Sequence, residues 1–130
     1  MARRHGVDGR LSFAPGDLLE ADFGLGHQIA TIGHILHSEG IERSRQLLKK
    51  TFNALAPGGT VAIMEFLCDD DRGGPPAALI FAVNMLVHTD VGDTFTFAEI
   101  SGWLREAGFE NPRLLEVPAV SPLILATKPQ

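Results

Sequence analysis

Two histidines three positions apart, His34 and His37, close the apolar run ATIGHIL, and Glu65 sits near the end of a second such run, VAIMEFL. Imidazole exchanges protons near neutral pH, and a carboxylate on one ring nitrogen fixes the tautomer that leaves the other nitrogen as a general base. A purely structural role fits the same residues: His37 could cap a helix while Glu65 pairs with a lysine. Spacing alone leaves both open. A metal is not assigned, because His34-x-x-His37 has no nearby Cys and no evident third ligand. Gly16-Asp17 offers one more carboxylate, either an Asx-type turn residue or an acceptor for an adenine amino group or hydroxyl. Of these, the turn is preferred.

Three glycine-rich places do not make a phosphate loop. Gly24-x-Gly26 and Gly58-Gly59 each precede a strand, whereas a nucleotide loop must open onto a helix N-terminus. Gly73-Gly74 runs into two prolines. A hydrolase or lyase using His37 with Glu65 lacks a G-x-S-x-G nucleophile signature.

For His37 and Glu65 to work together, the elements before them must end on one rim. Residues 27–33 (HQIATIG) read as a strand entered through a glycine turn. Ile41, Leu47, Leu48, Phe52 and Leu55 recur at helical spacing, and Pro57 with Gly58-Gly59 stops that helix at Ala56. Residues 60–67 (TVAIMEFL) are so continuously apolar that they suit a strand buried on both faces. A strand–helix–strand crossover is right-handed and sets its two strands side by side, and open α/β sheets bind ligands beyond their carboxyl ends. His37 and Glu65 are therefore expected on the same rim.

The remaining chain supplies support. Residues 10–19 (RLSFAPGDLL) read as a short strand broken at Pro15-Gly16, and residues 77–87 as a buried helix. Thr96-x-x-Glu99 is a capping box, followed by the helical face Ile100, Trp103, Leu104 and Ala107. Gly108 can take the left-handed conformation that ends this helix, with Phe109 as its cap contact. Residues 113–117 and 123–127 are expected to pair as an antiparallel hairpin. The fold class is α/β, with a mostly parallel sheet carrying this hairpin at its C-terminal end.

The chain has 130 residues, 45% hydrophobic and 21% charged, which fits one globular domain. A net charge of −5 with dispersed Lys and Arg argues against nucleic acid as a partner. A lone Cys68 fits a reducing compartment. The N-terminal residues have no signal-peptide core, and the most apolar stretch, AALIFAVNMLV, is too short to span a bilayer. A cytoplasmic location without membrane contact is the expectation.

Six segments in order carry a resemblance: F-x-P-G-D-L (Phe13 to Leu18), I-L-H (Ile35 to His37), A-L-x-P-G-G (Ala54 to Gly59), V-A-I-M-E (Val61 to Glu65), M-L-V-H-T (Met85 to Thr89) and A-G-F (Ala107 to Phe109). As a set they resemble the C-terminal portion of class I S-adenosylmethionine-dependent methyltransferases. The likeness is to the small-molecule O-methyltransferases of plant phenylpropanoid and bacterial polyketide pathways. It implies a Rossmann-like methyltransferase fold and methyl transfer to a hydroxyl. By position, Asp17 matches the family's adenine-binding carboxylate after Gly16, with Leu18 packing on the ring. His37 matches the general base, Glu65 the carboxylate that orients it, and Met85 and Thr89 the acceptor-lining helix.

Departures from the pattern set limits. Gly33 stands where many plant members carry a lysine that contacts the cofactor's carboxylate, and Thr94 where they carry a second acidic residue, Asp93 being one place off. No glycine-rich D/E-x-G-x-G-x-G turn occurs in these residues. The resemblance thus implies a partial sheet without the first two strands of the family's 3-2-1-4-5-7-6 order, with Arg3 to Gly6 ending the helix before its third strand. S-adenosylmethionine should bind these residues weakly or not at all, and the isolated chain should not turn over. The edge of strand 27–33 would be left open and is expected to join two copies as a homodimer, or to be covered by the segment around Ser12-Phe13. The alternative is a non-catalytic α/β module, derived from a methyltransferase, that binds or dimerises.

Overall fold

A strand, a helix and a second strand form the frame that carries the candidate residues. The computed structural model describes residues 2–119 and 121–130. β1 (His27–Gly33) leads into α1 (Leu36–Ala54), which returns through β2 (Leu55–Met64). β1 and β2 pair in parallel, with Ile29 opposite Thr60 and Gly33 opposite Met64. Their carboxyl ends therefore share one rim, as the crossover rule requires. Beyond them come β3 (Leu67–Cys68), α2 (Pro76–His88), β4 (Phe95–Thr96), α3 (Phe97–Ala107), β5 (Glu110–Leu115) and β6 (Leu123–Thr127).

The main sheet has the order β1-β2-β6-β5. It is mixed, not mostly parallel: β1–β2 is parallel, whereas β2–β6 and β6–β5 are antiparallel. The hairpin was expected, but its inner strand inserts beside β2, so two of the sheet's three pairings run antiparallel. Burial explains the insertion. Ile124 and Ala126 of β6 are fully buried in the core with Val61 and Ile63 of β2. The connection between β5 and β6 contains Val120, which lies outside the described residues.

Residues 10–19 do not form a strand. They belong to a looped segment, preceded by short 3-10 turns at Ala2–His5 and Asp8–Arg10. Pro15 has no N–H to give a ladder, Gly16 sits at φ 141°, and Asp17 Oδ1 accepts the Leu19 amide at 2.9 Å. The Asx-type turn expected at Asp17 is thus present, and it wins locally over extension. The 3-10 turn at residues 2–5 also replaces the expected helix end.

α1 begins one turn earlier than its apolar periodicity suggests. Gly40, at φ 70° and ψ 177°, separates a first turn containing Leu36 and His37 from the longer run that starts at Ile41. No Cβ fits there, since one would fall 2.9 Å from both the carbonyl oxygen and a methyl of Val91. At the other end the helix stops at Ala54, and β2 opens immediately through Pro57, Gly58 and Gly59. The register jumps there from His27–Leu55 to Ile29–Thr60. Gly59 is required because a Cβ would lie 2.8 Å from the Ala56 carbonyl.

The core joins α1, α3 and the sheet through Leu36, Leu47, Leu48, Ile63, Ile100 and Leu104. Full burial of each Leu or Ile contributes roughly 1.5–3 kcal/mol relative to exposure. β2 alternates buried with half-buried positions rather than being sealed on both faces. α2 is a second correction. Only Ala78 and Met85 are buried, while Ile80, Val83, Leu86 and Val87 face outward. Its sequence is apolar all round, but the packed elements cover one narrow face. α3 follows its signals closely. Thr96 Oγ1 accepts the Glu99 amide, Glu99 Oε2 accepts the Thr96 amide, and Gly108 closes the helix at φ 108°. Phe109 is buried edge-on against Phe52.

Candidate active site

β1 ends at Gly33, and the chain must turn sharply to enter α1. His34 makes that turn in the left-handed region, φ 51°, while its amide still bonds the Met64 carbonyl at 2.9 Å. Ile35 is the N-cap, and its side chain provides no acceptor for the first helical N–H groups. Glu65, just past the end of β2, fills that gap. Its Oε2 accepts the amides of Leu36 at 3.1 Å and His37 at 3.4 Å. Its Oε1 accepts the Phe66 amide at 3.0 Å and faces His37 Nδ1 at 2.7 Å. A carboxylate at a helix N-terminus also meets the positive end of the helix dipole.

Glu65 is fully buried, and the His37 side chain is nearly so. An ionised carboxylate only accepts, so opposite an ionised Glu65 the imidazole donates from Nδ1 and keeps its lone pair on Nε2. The Phe81 ring stands edge-on to His37, with centroids 4.8 Å apart and an interplanar angle of 89°. Phe66 touches both Phe81 and His34, at centroid distances of 4.6 and 4.8 Å. The His37 ring is therefore fixed by a hydrogen bond at one nitrogen and by aromatic walls at its side.

His34 is different. Its side chain is 40% exposed, its Nε2 lies 3.2 Å from Ser121 Oγ, and its Nδ1 lies 3.8 Å from Glu65 Oε1. It is neither buried in the core nor a helix cap. The third donor absent from the local sequence follows β2 directly: donor atoms of His34, His37 and Glu65 lie within 4.8 Å of one another.

The other sequence-derived residues fall around this point. Met85 is buried on α2, one turn beyond Phe81 and so on the same helical face. Thr89 Oγ1 donates to the Met85 carbonyl and accepts the Gly92 amide, so this hydroxyl ends α2 and starts the next turn. That turn returns to the site, where the Asp93 amide donates to the His37 carbonyl at 2.9 Å. Thr94 is buried against Cys68, and Asp93 Oδ2 faces Arg72, so neither side chain hydrogen-bonds to the His37 ring.

A cleft of about 640 Å³ runs along β1 on the other side of Gly33, lined by Leu18, Phe23, Ile29, Ile32, Gly33 and Ile35 among others. The loop over it is tied down by α1. Lys50 Nζ donates to the Leu18 carbonyl and lies over the Phe23 ring, and Arg43 Nη2 donates to Asp17 Oδ2 at 2.7 Å. The Leu19 amide, and after it Arg43, hold the Asp17 carboxyl below the usual carboxylate range. Leu18 and Gly33 thus face the cleft, whereas Gly16 and Asp17 form the turn beside it.

Phe66 and the two capped amides of α1 were not legible from motifs. Phe66 follows Glu65 directly, and that adjacency was the available clue. From sequence, Phe81, Phe95 and Trp103 suit either core packing or substrate stacking, with core packing preferred. The latter two do pack together, centroids 4.8 Å apart, but Phe81 lies against the candidate base.

Comparison with known proteins gives the family and the fold. The O-methyltransferase domain family matches residues 1–110. A 3-hydroxy-5-methyl-1-naphthoate 3-O-methyltransferase of Streptomyces sahachiroi is 39% identical over 108 residues, which is 83% of this chain and 31% of that protein. The tetracenomycin 8-O-methyltransferase TcmO of Streptomyces glaucescens is 36% identical over 99 residues, 76% of this chain and 29% of that protein. This chain therefore spans about a third of the length of these relatives. The crystal structure of a candidate O-methyltransferase from Nostoc punctiforme superposes with a TM-score of 0.92 at 34% identity, covering 98% of this chain and 39% of that one. Human N-acetylserotonin methyltransferase in complex with S-adenosylmethionine gives 0.81 at 27% identity, covering 95% and 37%. With an α/β fold that matches theirs, its described residues forming a mixed sheet and three α-helices, the chain belongs to the O-methyltransferase domain family.

Proposed function

We propose that these residues form the acceptor and base side of an S-adenosylmethionine-dependent O-methyltransferase acting on a small hydroxylated molecule. The observation that carries the reading is the 2.7 Å contact between His37 Nδ1 and buried Glu65 Oε1, beside Phe81. It presents Nε2 as a fixed, neutral base. The acceptor hydroxyl would give its proton to Nε2 as its oxygen takes the methyl group, the methyl–sulfur bond breaking with its electron pair left on sulfur as a neutral thioether, and Glu65 would stabilise the imidazolium that results. General-base assistance of this kind supplies roughly 10²–10⁴ in rate. Met85 and Thr89 belong to the acceptor wall, with Phe81 and Phe66 as its aromatic part.

The cleft along β1 suits the cofactor's adenosine in size and apolar lining. When bound, S-adenosylmethionine supplies a methyl group already activated on sulfonium. Leu18 would pack on the adenine, Gly33 would leave room beside Met64, and the Gly16-Asp17 turn would present the carboxylate, steadied by Arg43. We read the described sheet as the C-terminal part of the family's larger sheet, and the chain as one domain forming that part of a catalytic domain. On this reading the first two strands of the family's order are not among the 130 residues, and neither is its glycine-rich turn. The 130 residues alone then bind the cofactor weakly and do not turn over. Ile29 on the edge strand β1 is 68% exposed, which supports pairing of two copies there as a homodimer.

NMR titration of the 130-residue chain tests this reading. A phenolic acceptor should shift the ring signals of His37 and Phe81, and millimolar S-adenosylmethionine should shift the amides of Leu18 and Gly33. Adding the preceding portion of the Streptomyces relative as a separate chain should restore methyl transfer, and His37→Asn should abolish it. Silence at both sets of signals would instead favour a non-catalytic module.

A further inference from the structure

We infer that His34, His37 and Glu65 form a binding site for a transition-metal ion of the zinc or cobalt(II) class, and that the ion competes with the base function of His37. The site draws on the same pair as the proposed reaction but does not depend on that reaction being correct. Two imidazoles and one carboxylate are a donor set suited to borderline divalent ions.

The distances fit an ion after a small adjustment. Four-coordinate zinc with bonds of about 2.0–2.1 Å separates its ligand atoms by roughly 3.3 Å. Glu65 Oε1 lies 2.7 Å from His37 Nδ1 and 3.8 Å from His34 Nδ1, on either side of that value. Both separations adjust: the buried His37–Glu65 pair opens slightly and the more exposed His34 closes in. His34 is 40% exposed on the side chain, sits between β1 and α1, and provides the ion's entrance.

Two features of His34 have no role in the methyl-transfer reading. Its backbone is held at φ 51°, a sparsely populated region for a residue with a side chain, and such strain gathers at functional sites. Its Nε2 lies 3.2 Å from the buried Ser121 Oγ. In the tautomer where Nε2–H donates to Ser121, the Nδ1 lone pair faces Glu65 Oε1 with no proton between them. A cation is the partner that satisfies two facing acceptors. Ligating histidines commonly anchor their second nitrogen in this way.

Glu65 keeps its bonds from the Leu36, His37 and Phe66 amides, so its carboxylate is already oriented. The ion takes the place of the Nδ1 proton of His37, and the neutral ring carries its one proton at Nε2 instead. A bound ion thus fixes the tautomer protonated at Nε2, and the base is disabled.

The test needs neither cofactor nor acceptor. The chain, stripped of metal by chelator, is titrated with zinc chloride by calorimetry, and with cobalt(II) while its histidine ring signals are followed by NMR. One ion per chain should bind with a micromolar or tighter dissociation constant. Cobalt(II) should broaden the His34 and His37 signals before those of His27 and His88. His34→Asn, chosen because Asn tolerates a positive φ, should weaken binding by about tenfold or more. His37→Asn should do the same, and His88→Asn should leave binding unchanged. Failure to saturate at millimolar zinc, or affinity indifferent to His34→Asn, would overturn the site.

Discussion

Glu65 holds His37 twice, through the ring at Nδ1 and through the backbone amide that its other oxygen accepts. One carboxylate thereby sets the tautomer of the imidazole and starts the helix that carries it. The orientation of the ring and the local fold are consequently coupled, and mutation of Glu65 should disturb both.

Replacing Glu65 with Ala leaves the amides of Leu36, His37 and Phe66 without their acceptor. Each buried unsatisfied donor costs about 1–3 kcal/mol, so a loss of roughly 3 kcal/mol or more is expected. Glu65→Gln keeps an acceptor oxygen and should lose less. Urea unfolding of both variants checks the order, and equal losses would contradict the capping role.

Gly40 reverses an ordinary rule. In a regular helix, Gly→Ala stabilises by about 0.5–1 kcal/mol. Here the positive φ and the 2.9 Å approach to Val91 should make Gly40→Ala destabilising by about 1–3 kcal/mol. A raised melting temperature for that variant would show that the break in α1 is not required.

Thr96→Ala removes the side-chain acceptor of the α3 capping box and should cost about 1 kcal/mol. Glu99 also pairs with Arg72, so Thr96→Ser, which preserves the hydroxyl, should recover most of the loss. A denaturant midpoint for the Ser variant as low as that for Ala would rule out the cap as the cause.

Asp17 provides the pH test. Its folded-state pKa lies below the ordinary value of 3.8, first through the Leu19 amide and then through Arg43. Its contribution is therefore present above that value and is lost as the pH falls through the lower folded-state value. Asp17→Asn retains an acceptor for Leu19 but removes the charge facing Arg43. The stability gap between wild type and this variant should be open at about pH 5 and close as acid is added below 3.8. Urea midpoints showing a constant gap through this range would exclude the charge as its source.

Local signals were read successfully where short-range chemistry decides the outcome. Thr96 and Glu99 bond each other three residues apart, and Gly108 relieves a left-handed residue at the end of the same helix. The hairpin's inner strand at Leu123–Thr127 and the extent of β1 also follow from their apolar patterns. The shared rim of His37 and Glu65 was legible for a different reason. It needs only the handed strand–helix–strand crossover and two residues just past strand ends.

The amino-acid order by itself determined the family motifs, the caps, the β1–α1–β2 crossover and the end of the sheet where a base would stand. Tertiary structure decided that β6 inserts beside β2, that residues 10–19 remain a loop, that α2 shows its apolar side outward, and that Phe66, Phe81 and His34 gather at His37. The division has a physical cause. Caps, turns and periodicity are short-range energies recorded within a few residues, whereas strand order, burial and ring contacts depend on which distant surfaces meet once the chain has closed.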